Sequence, residues 1–215
     1  MVVPKIQTFT INSEESHTEL CDLGNMSDKS PHNIIAHYHK HPYTPIYSLL
    51  FGHLRNKPIN FCEIGIAGGY SIKMWQEYFC KETKIVAMDY DINLLAHINN
   101  INFKNVVTAF IDVQDEECIE KTFNTIGMTY DIILDDSDHI FESHIKIVKK
   151  ATQFLKPGGV LLIEDVFLNN NAQKYEDALG DLLIPFESVY YIKSEHKNRF
   201  SGDWNNDGIL VFIKA

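Results

Sequence analysis

The sequence predicts an α/β protein built on a mostly parallel sheet of seven strands, with helices on both faces, an antiparallel hairpin of strands at the C-terminal end and a helical cap at the N-terminus. Three observations predict this fold. From about residue 60 the chain alternates short β-branched runs with longer amphipathic stretches. The final part has two strand-like runs with no helix between them, and the first 57 residues lack the alternation.

The first five strands are predicted from apolar runs that are rich in β-branched residues. They are NFCEIGI (60–66), KIVAM (84–88), VVTAFI (106–111), YDIILDD (130–136) and GVLLIED (159–165). Amphipathic helices are predicted between them, over 71–80, 92–100, 116–124 and 140–154. The KPGG stretch (156–159) is expected to end the last of these helices. Strands that alternate with helices in this way are typical of a parallel sheet covered by helices.

The last two strands are predicted at ESVYYIK (187–193) and GILVFIK (208–214). The link between them is polar and rich in turn-forming residues. Because consecutive strands joined without a helix usually pair antiparallel, we expect a hairpin on the edge of the sheet.

The N-terminal segment, residues 1–57, is predicted to be a helical cap on the main unit, residues 58–215, within a single structural domain. Its helices are expected at 31–40 and, after Pro42, at 43–55. Four histidines lie in HNIIAHYHKHP (32–42), which we interpret as a partly solvated helix rather than a second metal site.

The composition excludes several classes of partner. The formal net charge is −10 and no run is rich in lysine or arginine, which argues against nucleic-acid binding. No apolar stretch approaches the roughly 20 residues that span a bilayer, so no membrane association is expected. Four separated cysteines and the lack of a leader indicate reduced thiols in a cytoplasmic protein. The oligomeric state is left open, a homo-oligomer included.

The stretch EIGIAGGYS (63–71) follows the first main strand and opens a helix. Glycines in such a turn let backbone N–H groups approach a ligand closely, and a helix start favours polar or anionic groups. A nicotinamide or flavin dinucleotide would prefer G-x-G-x-x-G, whereas the order here is Gly65, Ala67, Gly68, Gly69. We therefore predict a different ligand, with a plain tight turn as the alternative.

Acidic residues lie at the ends of three successive predicted strands. Glu63 is placed to meet a cationic amino group, Asp89 to accept hydrogen bonds from two ribose hydroxyls, and Asp112 to accept one from an adenine amino group. Each acid alone is more simply a solvated residue at a strand end. Because open α/β sheets bind ligands at the carboxyl ends of their strands, the three together predict a nucleoside site.

The stretch ILDDSDHIF (133–141) places three carboxylates and a histidine directly after an apolar run. Side chains alternate along a strand, so Asp135 and Asp136 are expected to point to opposite sides. Asp138 is expected to cap a helix that begins near His139. In the first turn of that helix the dipole disfavours protonation of the imidazole, so His139 is a candidate general base.

Glu164 and Asp165 end the next strand, IED, beside the strand that delivers Asp136. Three carboxylates that converge at one sheet edge need a cation, and hard oxygen ligands without a thiolate favour Mg²⁺, with Ca²⁺ or Mn²⁺ as alternatives. An ordinary acidic surface is the other interpretation of these residues.

The EIGIAGG stretch, the acid that closes the second strand, LKPGGVLLIED and the terminal hairpin resemble those of a class I S-adenosylmethionine-dependent methyltransferase, a Rossmann-like fold, over residues 58–215. The resemblance implies that the glycine loop holds the methionine part of the cofactor, Asp89 the ribose, and that Asp112 lies near the adenine. Ala67 replaces the middle glycine of the usual motif. The predicted S-adenosylmethionine site is Glu63, Gly65, Ala67, Gly68, Gly69, Tyr70, Ser71, Asp89, Asp112, Val113 and Asp135.

The pattern D-x-x-H followed by E-D at the next strand end resembles a narrower group, the macrocin and mycinamicin sugar O-methyltransferases. This resemblance implies that Asp136, Glu164 and Asp165 bind Mg²⁺, and that Asp136 and His139 are catalytic, His139 as the base. Members commonly read D-D-G-S-H, where this chain reads D-D-S-D-H. The segment SDKSPHN (27–33) is similar to a polar N-terminal segment of the group.

The predicted function is therefore divalent-metal-assisted methyl transfer from S-adenosylmethionine to a hydroxyl of a sugar, a nucleotide sugar or a sugar-bearing small molecule. The alternatives are a metal-independent small-molecule O- or N-methyltransferase, an NAD-type oxidoreductase, and a non-catalytic protein that binds an adenosine ligand. His196, Lys197 and Arg199 are candidates to meet a phosphate, or belong to a solvated loop. Tyr43 and Tyr47 are candidates to line the pocket or an interface.

Overall fold

The computed structural model describes residues 3–13, 15–35, 40–195 and 205–215, and within them the chain forms one eight-stranded sheet flanked by helices. The strands are β1 Ile6–Asn12, β2 Asn60–Ile64, β3 Lys84–Asp89, β4 Val106–Phe110, β5 Tyr130–Asp135, β6 Leu155–Val166, β7 Phe186–Glu195 and β8 Gly208–Lys214. The α-helices are α1 Glu19–Leu23, α2 Tyr43–Phe51, α3 Tyr70–Tyr78, α4 Ile92–Ile101, α5 Glu116–Ile126, α6 Phe141–Ala151 and α7 Ala172–Leu179. Short 3₁₀ turns follow α2, α6 and α7, at Gly52–Leu54, Thr152–Phe154 and Gly180–Leu183.

The strand order across the sheet is β1-β7-β8-β6-β5-β2-β3-β4, and β2 to β6 pair in parallel. From β2 the chain moves to one side of the sheet through β3 and β4 and then returns to the other side with β5 and β6. Ligands of open α/β sheets bind beyond the carboxyl ends of the strands where this reversal occurs. The topology therefore directs attention to the ends of β2, β3 and β5.

Helices cover both faces of the sheet, as predicted. Phe123 of α5 and Ile147 of α6 belong to the buried apolar cluster on one face. Trp75 of α3 and Ile98 of α4 belong to the cluster on the other. The predicted α/β architecture is confirmed, and the five predicted parallel strands and four intervening helices correspond to β2–β6 and α3–α6.

The predicted end of the fourth helix is wrong in one respect. Helix α6 ends at Ala151, a 3₁₀ turn covers Thr152–Phe154, and β6 begins at Leu155. The KPGG stretch (156–159) therefore lies inside β6 and not ahead of it. Gly158 there has a φ of 72°, which a residue without a Cβ adopts at little cost.

The C-terminal hairpin is confirmed, since β7 and β8 pair antiparallel. Its expected place on the edge of the sheet is wrong, because β1 pairs in parallel with β7, from Ile6 opposite Val189 to Asn12 opposite Glu195. The sheet therefore has eight strands and not seven. Within β1 only Ile6 is buried, so this edge strand lacks the apolar alternation by which strands are recognised in a sequence.

The N-terminal segment contains the predicted second helix as α2 and the 3₁₀ turn after it. The first predicted helix, 31–40, is not seen at residues 31–35 and 40, and positions 36–39 lie outside the described residues. A short helix at Glu19–Leu23 was not predicted. The segment is thus a mixture of one strand, two helices and turns.

Aromatic side chains join this segment to the sheet. The Trp75 ring lies with its centroid 5.7 Å from that of Tyr47 on α2 and 5.0 Å from that of Phe61 on β2. Such pairs contribute roughly 0.5–1.5 kcal/mol each beyond the burial of their area. The packing fixes α2 against the end of the sheet at which the candidate site lies.

Among the helices of the described residues, none is both long enough and apolar enough to pass through a bilayer.

Candidate active site

A cavity of about 440 Å³ lies beyond the carboxyl ends of β2, β3 and β4. Its walls come from the glycine turn after β2, from the residues that close β3 and β4, and from the loop after β5. The lining residues are Ile64, Gly65, Asp89, Tyr90, Ile111, Asp112, Val113, Gln114, Ser137 and Asp138. The predicted cofactor residues Gly65, Asp89, Asp112 and Val113 thus share one cavity.

The glycine turn needs a residue without a side chain at Gly65. Its φ is +83°, and a Cβ there would lie 2.0 Å from the backbone oxygen of Asp136. Gly69, at the start of α3, has a φ of +77°, and a Cβ would meet Ile98 at 2.2 Å. Ala67 takes the left-handed region with a φ of 38°, although it is not a glycine. The turn therefore packs directly against the acidic loop after β5.

Two carboxylates of the cavity are held in place by backbone N–H groups. Asp89 accepts from the backbone nitrogen of Ile66 at 3.0 Å and from that of Asp91 at 2.8 Å. Asp112 accepts from the backbone nitrogen of Gln114 at 2.9 Å. These bonds orient both acids without further side chains. The role of the two acids as cofactor ligands stays a prediction.

The other seven predicted cofactor residues are not among those that line this cavity: Glu63, Ala67, Gly68, Gly69, Tyr70, Ser71 and Asp135. Glu63 is fully buried, and its Oε2 accepts a hydrogen bond from Ser71 at 3.0 Å. Asp135 is also buried and accepts from Ser137 at 2.7 Å. Burial raises the pKa of both Glu63 and Asp135 to about 7. Tyr70 is half exposed on the outer side of the turn.

Ala67 and Gly68 of the turn are exposed, and Gly68 lies beside the ring of Tyr70.

The acidic loop after β5 corrects one expectation. Helix α6 begins at Phe141, with Ile140 as its N-cap residue, so His139 is not in its first turn. Asp138 accepts from the backbone nitrogen of Ile140 at 3.1 Å and from the Ser143 hydroxyl at 2.8 Å. These bonds form a turn ahead of the helix, so the helix begins later in the chain than predicted. The expected place of His139 in the first turn of the helix is therefore wrong.

Asp135 and Asp136 have different partners, as the alternation along β5 predicts: Asp135 accepts from Ser137, and Asp136 from Lys29. His139 has a φ of 57° and Asp165 a φ of 51°. Left-handed backbone is uncommon outside glycine and often marks functional sites.

Asp136, His139 and Asp165 come together after β5 and β6. Each offers a ligand atom, and these atoms lie within 4.8 Å of one another. The Nε2 of His139 is 3.8 Å from Oδ2 of Asp165. Among the described residues, this is the group of three or more acid, histidine or cysteine side chains with spacing suitable for a metal ion.

Lys29 provides a cation that sequence reasoning did not identify. Its Nζ lies 2.5 Å from Asp136 Oδ2, 2.6 Å from Glu164 Oε2 and 3.4 Å from Glu63 Oε1. Burial alone lowers the pKa of the ammonium, but the three carboxylates outweigh it, and the pKa is raised well above its usual value. Lys29 is therefore charged at neutral pH. The signal for it was the polar segment SDKSPHN (27–33), in which it is the one cation.

The N-terminal segment supplies further contacts to the acids. Tyr47 donates a hydrogen bond to Glu164 Oε1, and Tyr43, one turn earlier on α2, donates to Asp165 Oδ1 at 2.7 Å. His41 lies 3.4 Å from the same oxygen of Asp165. Burial alone lowers the pKa of His41, but the nearby carboxylates outweigh it and raise the pKa. Tyr43 and Tyr47 thus face the acidic cluster.

The predicted metal ligand Glu164 is held differently from the other two. Its side chain is 1% exposed, with one oxygen on Lys29 and the other on Tyr47, whereas Asp136 is 22% exposed. The structure brings Asp136 and Asp165 together with His139, and Glu164 is not part of that group. His196, Lys197 and Arg199, the predicted phosphate contacts, lie outside the described residues.

The donor set fits a divalent cation. Four carboxylates, those of Glu63, Asp136, Glu164 and Asp165, lie at this end of the sheet, and Lys29 contacts the first three. Burial raises the pKa of Glu164 well above its usual value, Asp136 and Asp165 add to the rise and Lys29 opposes it, so additional positive charge would favour the ionised form. A divalent ion supplies that charge, and carboxylate oxygens are the ligands that Mg²⁺ prefers.

Comparison with known proteins shows what this chain resembles. Residues 62–166 match a methyltransferase domain family. Demethylmacrocin O-methyltransferase of Streptomyces fradiae is 30% identical over 135 residues, which cover 59% of this chain and 32% of that protein. A tetracenomycin-C rhamnosyl 2'-O-methyltransferase of Streptomyces olivaceus is 28% identical over 133 residues, covering 59% and 33%. The chain thus spans about a third of the length of these curated relatives.

A solved structure supports the same relationship at the level of the fold. The methyltransferase MycE of the mycinamycin biosynthetic pathway, in complex with Mg and S-adenosylhomocysteine, superposes with a TM-score of 0.68 at 17% identity. The match covers 92% of this chain and 55% of that one. Together these comparisons show that residues 62–166 are similar to a methyltransferase domain, and they confirm the predicted resemblance to the macrocin and mycinamicin sugar O-methyltransferases.

Proposed function

We propose that this chain transfers a methyl group from S-adenosylmethionine to a hydroxyl of a sugar-bearing small molecule, with a divalent cation beside the reacting oxygen. One observation carries the proposal. The loop after β5 provides both a wall of the cavity, through Ser137 and Asp138, and the acid–imidazole group, through Asp136 and His139. A nucleoside cofactor in the cavity and an acceptor at the acidic group would therefore be neighbours.

The cofactor is held by the chain's own polar groups. Asp89 is oriented by two backbone N–H groups, which leaves its carboxylate positioned to accept from the two ribose hydroxyls. Asp112, which lines the same cavity, would accept a hydrogen bond from the adenine amino group. Gly65 also lines the cavity, and the methionine part of the cofactor would lie against this turn.

His139 removes the proton from the acceptor. In this mechanism Nε2 takes the hydroxyl proton, and the oxygen then forms a bond to the methyl carbon. The carbon–sulfur bond breaks, its electron pair stays on sulfur, and S-adenosylhomocysteine leaves; His139 then releases the proton to water. The Nδ1 atom of His139 is buried and has no hydrogen-bond partner among the described residues, so Nε2 is the nitrogen that faces the acids.

Asp136 and Asp165 would hold the cation, with Glu164 beside them in the predicted set. A bound Mg²⁺ stabilises the developing negative charge on the acceptor oxygen and favours its deprotonation. The protein orients the acceptor oxygen and the methyl carbon, because reacting atoms must lie about 3–3.5 Å apart and in line. Tyr43 and Tyr47 fix the carboxylates for this purpose.

The acceptor class is supported by the names of the relatives, which are methyltransferases of macrolides and of a rhamnosyl tetracenomycin. The test is to incubate the protein with S-adenosylmethionine, Mg²⁺ and a panel of rhamnosides and deoxyhexosides, and to follow S-adenosylhomocysteine by mass spectrometry. Methyl ethers on a sugar oxygen, located by NMR, are expected. Turnover only with amine or phenol acceptors would refute the sugar assignment.

Asp89→Ala is expected to weaken S-adenosylhomocysteine binding by roughly 10–100-fold, which corresponds to losing one or two hydrogen bonds to a charged group. Asp89→Asn, which keeps one acceptor oxygen, should lose less. Isothermal titration calorimetry measures both, with Asp115→Ala as control, since Asp115 caps α5 and is not among the residues that line the cavity. Unchanged affinity in Asp89→Ala would show that the nucleoside binds elsewhere.

Metal-independent methyl transfer is a second candidate, and Lys29 is the observation that favours it. The lysine ammonium already lies within 3.4 Å of three of the four carboxylates, so part of their charge is neutralised without a metal ion. His139 would then act alone on the acceptor. Dependence of turnover on a divalent cation separates the two candidates.

A further inference from the structure

His41 lies buried between two carboxylates that come from different parts of the chain. Its Nδ1 atom is 3.0 Å from Oδ1 of Asp207 and 3.4 Å from Oδ1 of Asp165. Ionised carboxylates only accept hydrogen bonds, so a nitrogen between two of them carries a hydrogen. The shorter distance makes Asp207 the acceptor of that hydrogen, and Asp165 lies close to the same N–H group.

Asp207 has a fixed position at the start of β8. It is fully buried, and its backbone oxygen accepts from the backbone nitrogen of Ser194 on β7 at 2.8 Å. The next residue, Gly208, pairs with Val166, which directly follows Asp165 on β6. The start of β8 and the end of β6 are therefore neighbours in the sheet, and Asp207 is held on the side from which His41 approaches Asp165.

The N-terminal segment fixes His41 by contacts other than these acids. The backbone nitrogen of His41 donates to the backbone oxygen of Asp28 at 2.7 Å. Its ring stacks on that of Tyr43, with centroids 4.7 Å apart and an interplanar angle of 16°. The hydroxyl of Tyr43 donates to Oδ1 of Asp165 at 2.7 Å. The segment thus presents an imidazole and a phenol, stacked together, to the same carboxylate oxygen.

Asp165 depends on such contacts because of its own backbone. Its φ is 51°, a region that residues other than glycine keep only where the surrounding structure stabilises it. Its Oδ1 is the oxygen next to Tyr43 and His41, and its Oδ2 lies 3.8 Å from Nε2 of His139. The groups that hold Oδ1 therefore also set the direction of Oδ2.

We propose that His41 and Asp207 are positioning residues for Asp165. Asp207 fixes the imidazole through Nδ1, and the imidazole keeps Oδ1 of Asp165 in place. The carboxylate then stays in the orientation in which Oδ2 is directed towards His139. That Asp165 is one of three ligands of a divalent cation rests on the proposed function. Groups that orient a metal ligand commonly change metal affinity by roughly 10–100-fold.

The test compares His41→Phe with His41→Asn. Phenylalanine keeps a ring that stacks on Tyr43 but has no donor, whereas asparagine loses the ring and places an amide N–H close to the position of Nδ1. Binding of Mn²⁺ is measured by titration calorimetry, with neither cofactor nor acceptor present. The Kd should rise at least tenfold in His41→Phe and less than about threefold in His41→Asn. A role in packing alone predicts the reverse order, and the reverse order or equal losses would overturn the proposal.

Asp207→Leu tests the second member of the pair. Leucine keeps the branching at Cγ but has no acceptor, so this variant should weaken Mn²⁺ binding about as much as His41→Phe does. The double variant should lose little more than either single one, because both changes remove the same support. Losses that multiply would overturn the proposal. The control is His53→Phe, an exposed histidine of the same N-terminal segment, in which the Kd should not change.

NMR gives a readout that requires neither metal nor turnover. Proton–nitrogen correlation spectra of the metal-free wild type should show a hydrogen on Nδ1 of His41, assigned by comparison with His41→Asn, and an Nδ1 without hydrogen would overturn the proposal. This measurement does not require any variant of the pair to keep the wild-type stability.

The ring signals of His139 provide the second NMR readout. They should move in His41→Phe and stay in place in His41→Asn, because the change reaches His139 through Asp165. Unmoved signals in His41→Phe would contradict the positioning role. If both NMR results are as expected but the wild type binds no Mn²⁺, the metal part of the proposed function is refuted and the positioning of Asp165 stands.

Discussion

Replacing His139 is expected to lower kcat by roughly 10²–10⁴-fold, the range that general base catalysis contributes. Affinity for S-adenosylhomocysteine should stay within about twofold, because His139 is not among the residues that line the cofactor cavity. The effect arises because an alcohol keeps its proton until a base accepts it, while the sulfonium already activates the methyl group. A loss in kcat with unchanged cofactor binding is therefore the expected signature.

The backbone conformation at position 139 decides which substitution is suitable for this test. His139 has a φ of 57°, and asparagine tolerates this region better than alanine does. His139→Asn thus retains the loop conformation but offers no base. Initial rates and cofactor calorimetry should be measured on His139→Ala and His139→Asn, with His97→Ala, an exposed position on α4, as control.

Free imidazole provides a second readout on the same variants. The side chain of His139 is 31% exposed, so its removal opens a space that a small base can enter. Turnover of His139→Ala that rises with imidazole concentration, and more steeply at higher pH, would support the role as base. Wild-type rates in both variants without imidazole would exclude His139 as the base.

The parts of the fold that could be predicted are those whose signals are local. Apolar runs rich in β-branched residues located β2–β6, and helical patterns located α3–α6; parallel order then placed Asp89, Asp112 and Asp136 at one end of the sheet. Strand β1 gave no such signal, since Ile6 is its only buried residue. Its pairing with β7 depends on a strand about 180 residues further along the chain.

The site was less predictable because its contacts are distant in sequence. Lys29 is 107 residues from Asp136 and 135 from Glu164, and no motif spacing connects them. His139 was misplaced for a local reason. Asp138 accepts a hydrogen bond from the backbone nitrogen of Ile140 and forms a turn there, so α6 begins only at Phe141. A side chain that bonds to the backbone in this way competes with helix formation, and the periodicity of apolar residues does not show which of the two prevails.

Chelation of divalent ions is expected to lower the rate of methyl transfer at least 10²-fold, and added Mg²⁺ should restore it. Several kcal/mol of charge stabilisation come from a metal ion beside a reacting oxygen, and each 1.36 kcal/mol is tenfold in rate. The measurement compares initial rates after treatment with EDTA, with and without excess Mg²⁺. If only zinc or only calcium restored the rate, that metal would be the ion of the site, and its role in catalysis would be the same.

Asp165→Asn tests whether this dependence on the cation passes through the carboxylate of Asp165. Asparagine tolerates the φ of 51° and keeps an oxygen to accept from Tyr43, so the variant removes the charge with little change in structure. If Asp165 acts by holding the cation, EDTA should cause almost no further loss in Asp165→Asn, because both changes remove the same stabilisation. If the losses in rate caused by Asp165→Asn and by EDTA multiply instead, the ion acts at a site that does not include Asp165. Full activity of the EDTA-treated wild type would leave Lys29 as the cation of the cluster and favour metal-independent transfer.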